Sequence, residues 1–282
     1  LIDELRSATD DLCDAGVRQA ILTRLDEGIG MGRGFITAVF CLLMPTENAV
    51  AGLYQVENYE GSIGPNPVHL SLQRYAHFGS GITVEGSYFY DAKQSPIAIY
   101  GTADGSRLTL CEIADDKQFQ RVLVMGSKTP VDTAGCPFSL DVGESGATGN
   151  WSKDTDKFPV TLKKVASLDD TGEGKIDGTV EIPFWAETAS DRFAGIYTTS
   201  DAGICMTKMQ VINKKKKKVV QEIGFDDEDC NAGMSTTPIY MNVQKWVEGG
   251  KDIISVNFGG GKFASADDYV LNPKTKKYHL KK

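Results

Sequence analysis

The chain has 282 residues, 38 of them acidic against 30 basic, a formal net charge of −8 and 41% hydrophobic side chains. This balance excludes whole-molecule attraction to nucleic acid, and the length allows one large or two small domains, each able to bury a core.

Residues 1–30 carry Val17, Ile21 and Leu25 at helical spacing on one face. Residues 31–51 follow with the order of parts of an export signal. Arg33 stands near the start, then come the apolar run from Phe35 to Met44, helix-breaking Pro45, and the small-x-small triplet Ala49-Val50-Ala51. The apolar run is too short to span a bilayer, and the competing reading is a buried helix continuous with residues 1–29. Residues 1–51 contain four Arg and no Lys, whereas the other 231 contain four Arg and 22 Lys. That break in composition predicts an upstream extension over 1–30, translation from Met31, and cleavage near Ala51 that releases a periplasmic or secreted product. The product would hold 30 acids against 26 bases, a net charge of −4, and no further apolar run long enough to cross a membrane.

Beyond the leader the pattern is almost wholly that of strands. Val68, Leu70 and Leu72 alternate with polar residues. Alternation recurs over 82–90, and shorter runs lie at 97–100, 108–113, 122–125 and 158–162. Glycine-rich turns at 79–81, 104–105 and 143–149 separate them. Residues 167–178 combine turn formers with charge and read as a polar linker. A second set of strands is expected over 179–185, 193–198, 204–212, 219–225, 239–246, 253–258 and 269–271. The expected fold is therefore all-β: two small antiparallel barrels or sandwiches, over 52–166 and 179–282, joined by the linker and preceded by the helical signal-like segment.

Cys111, Cys136, Cys205 and Cys230 form an even set suited to an oxidising compartment. Three pairings are possible. Joining Cys111 to Cys136 and Cys205 to Cys230 gives each expected domain its own staple, whereas four buried thiols would give neither. No spacing suggests structural zinc.

The stretch YEGSIGPNPVHLSLQ, followed by VEGSYFYDAKQSPIAIYGTADGSRLTLCEI, resembles a strand pattern common among exported bacterial β proteins; it covers residues 59–113 and implies a fold without implying a reaction. VVQEIGF at 219–225, VEGGKDIISV at 247–256 and DDYVLNPKTKKYHL at 267–280 resemble the C-terminal β domain of periplasmic lysozyme-inhibitor-like proteins. Those proteins often carry an acidic calcium loop. Glu248 and Asp252 fall on its last part, while Gln244 and Trp246 occupy earlier ligand positions, so any calcium site here would be weak. Some such inhibitors insert a Ser-Gly-x-x-Tyr loop into the enzyme's cleft. Ser265, Asp267, Asp268 and Tyr269 follow that outline, with an ordinary turn entering the last strand as the alternative.

Catalytic constellations are scarce. The three histidines are His69, His77 and His279, with no nucleophile elbow, HExxH or phosphate loop near them. His69 reads as a solvent-facing strand residue. The run 226–229 concentrates carboxylates, but consecutive residues cannot face one another across a sugar. Lys215 and Lys216 lie in a five-lysine run expected to cap a hairpin, where a basic tip could also meet an anionic polymer or an acidic cleft. The resemblance thus implies a non-catalytic exported protein without a cofactor, blocking a lysozyme or other peptidoglycan hydrolase. An envelope glycan-binding module using an exposed aromatic is a second reading, and a hydrolase of unfamiliar type a third.

Overall fold

Strict period-two alternation over many short segments, punctuated by glycine turns, leaves the backbone one economical solution: antiparallel ladders with one face buried. The computed structural model describes residues 54–75, 81–124, 132–170, 174–200, 203–225, 230–233, 238–259 and 264–281. The segments 1–30 and 31–51, His77 and the acidic run 226–229 lie outside the described residues.

Strands β1 (Tyr54–Ile63), β2 (Asn66–Tyr75), β3 (Val84–Tyr90), β4 (Ile97–Asp104), β5 (Arg107–Glu112), β6 (Phe138–Val142), β7 (Gly146–Lys153) and β8 (Asp156–Asp169) pair in sequence order, and β1 also pairs β8. The sheet is therefore a closed eight-stranded barrel. Its interior is filled by inward residues of every strand, among them Tyr59, Leu70, Tyr88, Ile99, Leu110, Phe138, Leu140, Ala147 and Leu162, as expected of a barrel of this size. A Cβ at Gly101 would lie 1.9 Å from the Thr109 carbonyl oxygen, so only glycine permits this approach between β4 and β5.

Both barrel ends carry a half-buried carboxylate with hydrogen-bond partners. At one end Glu112 accepts from the Tyr88 hydroxyl at 2.6 Å and from the Trp151 indole at 2.8 Å. At the other, Glu57 accepts from the Tyr59 hydroxyl at 2.6 Å and pairs with Lys164 at 3.2 Å and Arg74 at 3.4 Å.

Residues 167–178, expected as a linker, hold the end of β8 and the short strand β9 (Lys175–Asp177), which pairs with it. The register of β8 against β1 slips at Asn58 and Tyr59, which face Ala166 and Lys164, so Val165 is a bulge. Before it, Val160 and Leu162 point into the barrel; after it, Ala166 and Leu168 point outward into a second core.

That second core lies between two four-stranded meanders. One comprises β10 (Val180–Glu187), β11 (Asp191–Ser200), β12 (Gly203–Asn213) and β13 (Lys218–Gly224); the other β14 (Val243–Glu248), β15 (Lys251–Phe258), β16 (Ser265–Asn272) and β17 (Lys277–Leu280). Val180, Ile182, Phe184, Phe193, Met206, Val211, Ile254 and Val256 fill it together with Tyr54 and Val56 of the barrel wall. Residues Val50–Lys282 accordingly form one compact unit. The Gln221 amide spans β13 and β17 by accepting from the Tyr278 N–H at 2.8 Å and donating to the Tyr278 carbonyl at 2.8 Å.

Two elements differ from the strand reading. Asp116–Phe119 forms a short helix, α1, which runs on through a wider helical turn, Gln120–Val124. Asp115 caps it, accepting from the Gln118 N–H at 2.8 Å. Phe119, Val122 and Leu123 then fall on one helical face against Ile82, Tyr100 and Cys111. The expected strand over 239–246 begins at Val243, after a single 3-10 turn, Ile239–Met241. Disulfides join Cys111 to Cys136 and Cys205 to Cys230. This chemistry persists in oxidising compartments. No described helix is long and apolar enough to cross a membrane.

Candidate functional site

Two surfaces bring chemically capable side chains together. The first is a cleft of about 280 Å³ where the outer barrel wall meets β10 and β11, lined by Asn58, Glu60, His69, Phe89, Glu181 and Arg192. His69, expected to face solvent, is instead half-buried: its ring stacks on Phe89 at 4.9 Å and its Nε2 lies 2.9 Å from Asp91. Arg192 sits over the same Phe89, 4.1 Å from the ring centroid, donates to Glu181 at 2.9 Å and reaches Gln94 at 3.2 Å. The charges of this cleft are thus largely matched to one another. They join the two cores rather than await a ligand.

Beneath the cleft lies a sealed polar layer between barrel and meanders. Ser71 and Tyr240 share a hydrogen bond of 3.0 Å, Gln73 Oε1 accepts from the Ile239 N–H at 2.7 Å, and Trp185 donates to the Gly86 carbonyl at 2.9 Å. Glu85, 6% exposed, accepts from the Tyr75 hydroxyl at 2.5 Å. Burial pushes the Glu85 carboxyl up to about 7, the Tyr75 hydrogen bond opposing that rise.

The second surface is the outer face of β14–β17. Register aligns its residues in rows across the strands. Trp246 stands opposite Ile253, Ile253 opposite Val270, and Val270 opposite His279. On one side of this row Gln244, Ser255 and Asp268 align; on the other Glu248 faces Lys251. Trp246 donates from its indole N–H to the Ser255 hydroxyl at 2.8 Å, and Ser255 in turn donates to Asp268. The ring is fixed by this chain, yet 40% of the residue remains exposed. Trp151 and Trp185 are by contrast committed to internal packing against Phe158 and Tyr240. Lys281 crosses the Trp246 ring 5.0 Å from its centroid and pairs with Glu248. Beside it runs a groove of about 680 Å³ whose lining includes Lys251, Ile253, Lys274, His279 and Lys281.

No protein-family model, curated protein or solved structure matches this chain.

The residues expected to form an inserting loop are placed otherwise. Ser265, Asp267, Asp268 and Tyr269 belong to β16, paired with Phe258, Val256, Ser255 and Ile254 of β15. Tyr269, 9% exposed, packs in the second core, and burial raises its hydroxyl above the usual tyrosine range. Glu248 and Asp252 point to opposite faces of the sheet, Glu248 held by Lys281 and Asp252 lying 3.9 Å from Lys245, so they do not converge on a cation. Among the described residues no group of three His, Cys, Asp or Glu could hold a metal ion. Lys215 and Lys216 are exposed in the turn between β12 and β13, where Lys216 N–H donates to Asn213 Oδ1 at 3.0 Å; Lys214 folds back to Glu187 at 3.0 Å. In the sequence Trp246 is a break in the calcium-ligand pattern and one of three tryptophans near strand ends, with nothing to mark it as the exposed one. Its partner Ser255, nine residues on, could have been found by pairing 243–248 with 251–258 about the Gly249-Gly250 turn.

Proposed function

We propose that the protein acts by binding rather than by catalysis, and that it holds a glycan on the outer face of β14–β17. The observation carrying this reading is Trp246: a ring locked through Ser255 and Asp268, exposed on one sheet face, with hydrogen-bonding side chains in the rows beside it. A sugar ring presents an apolar C–H face for stacking and a rim of hydroxyls that need donors and acceptors. An oriented aromatic between polar rows meets both needs. The contact between Lys281 and the ring contributes only ~0.5–1 kcal/mol at an exposed site, so a stacking ligand can displace it.

A lysozyme-inhibitor-like role through residues 265–269 draws less support, because those residues are strand and Tyr269 is core. Retention on insoluble peptidoglycan and on polysaccharide beads, with no enzyme present, tests the proposal. Trp246→Ala should abolish retention at unchanged melting temperature. Equal retention of the variant removes the face from consideration, and a stoichiometric complex with an added lysozyme, lost on Ser265→Ala, would restore the inhibitor reading.

A further inference from the structure

The groove beside Trp246 carries a charge opposite to that of the molecule. Three of its lining residues are lysines, Lys251, Lys274 and Lys281, and its lining carboxylate, Glu248, is already paired with Lys281. Among the described residues, neither Lys251 nor Lys274 forms an ion pair with any carboxylate, and both are exposed. Two uncompensated ammonium groups therefore face the groove of a chain whose net charge is −8. Several cationic side chains elsewhere in the fold are paired. Arg192 is neutralised by Glu181, Lys164 and Arg74 by Glu57, Lys214 by Glu187, and Lys208 by Glu222. Concentrating unpaired positive charge in one concavity raises the local concentration of an anionic ligand and speeds its capture.

Resting on the glycan reading above, we infer that the ligand is an acidic saccharide, with its sugar ring on Trp246 and its anionic groups along Lys251 and Lys274. The turn between β16 and β17 sets the second of these lysines. Asn272 Oδ1 accepts from the Lys274 N–H at 2.9 Å and from the Thr275 N–H at 3.2 Å, which fixes the backbone that presents the ammonium group over the groove. His279, at the end of the Trp246 row, extends the polar wall between ring and lysines.

The test is calorimetry of the full chain with oligogalacturonate, a neutral gluco-oligosaccharide of equal length, and inorganic phosphate, each at 20 and 300 mM salt. These conditions span the range over which exposed charges become screened. The inference expects oligogalacturonate to bind more tightly than the neutral oligosaccharide, with affinity falling as salt rises. Lys251→Gln with Lys274→Gln should weaken that binding roughly tenfold and remove its salt dependence. Trp246→Ala should weaken both saccharides alike. Equal affinity for acidic and neutral oligosaccharides, or full affinity in the double lysine variant, overturns the acidic-ligand inference while leaving the glycan reading standing. Binding of phosphate as tight as that of oligogalacturonate overturns it too, since the sugar would then add nothing. If neither saccharide binds and Trp246 fluorescence stays unchanged, the glycan reading fails with it.

Discussion

Replacing Glu85 with Gln should make the protein more stable at neutral and alkaline pH, by an amount set by the carboxyl's own surroundings. Glu85 is sealed between the barrel wall and the Ile239–Met241 turn, where burial holds its folded-state value at about 7 against 4.5 for an ordinary glutamate. A raised carboxylate is no liability below pH 4.5, where folded and unfolded chains both carry the proton. As pH climbs towards 7 the unfolded chain ionises first, and stability falls until the folded carboxyl ionises as well. The full penalty, about 3 kcal/mol above pH 7, follows from the size of the shift. The Tyr75 hydroxyl, 2.5 Å from Glu85 and 3.0 Å from Gln73 Oε1, favours the ionised carboxylate when it donates to Glu85, and so offsets part of the burial effect without reversing it. Urea unfolding of wild type and Glu85→Gln between pH 4 and 8.5 provides the assay. The curves should meet near pH 4.5 and separate by about 3 kcal/mol at pH 8, or about 10 °C in melting temperature for a domain of this size. Parallel curves across the whole range would refute the reasoning.

Two further predictions concern side-chain links within the fold. Arg192→Met removes a 7% exposed guanidinium that engages Glu181, Gln94 and the Phe89 ring; the Glu181 left behind is 38% exposed and can be solvated, so the expected cost in urea unfolding is ~1–2 kcal/mol. Replacing Cys205 and Cys230 together by Ser opens a loop of 25 residues, with an expected loss of about 3.5 kcal/mol by the chain-entropy relation; denaturation of oxidised and reduced wild type checks this against the variant.

Much of the architecture was legible in the sequence because alternation is a strong local signal. The hairpin of β12 and β13 around the lysine run, the strands at 82–90 and 253–258, and the pairing of each cysteine with its partner 25 residues away all follow from patterns visible in the chain. Strands β6 and β7 were not visible. Phe138–Val142 is only five residues long, and Gly146–Lys153 begins inside a glycine-rich run that reads as a turn. Those glycines are tolerated in a strand because the barrel bends there: a Cβ at Gly149 would sit 2.1 Å from the Ser139 carbonyl oxygen. Val122 and Leu123 misled for a different reason. Adjacent apolar β-branched and aliphatic residues suit a strand, yet the cap at Asp115 and the Cys111–Cys136 bridge commit the segment to a helical turn. The candidate site was the least legible part, since the row from Trp246 to His279 is assembled from four strands and exists only once their registers are set.

Val165 gives β8 two allegiances. Even-numbered side chains serve one interior before it and another after it, and the change of parity is carried by that single inserted residue. Were it drawn into the ladder opposite Asn58, Ala166 would fall opposite Glu57 and Leu168 opposite Gln55, out of the meander core, leaving Tyr54 and Val56 without their neighbours. A chain wired in this way has no cheap route to melt one half while keeping the other, so loss of the barrel and loss of the meanders should be a single event.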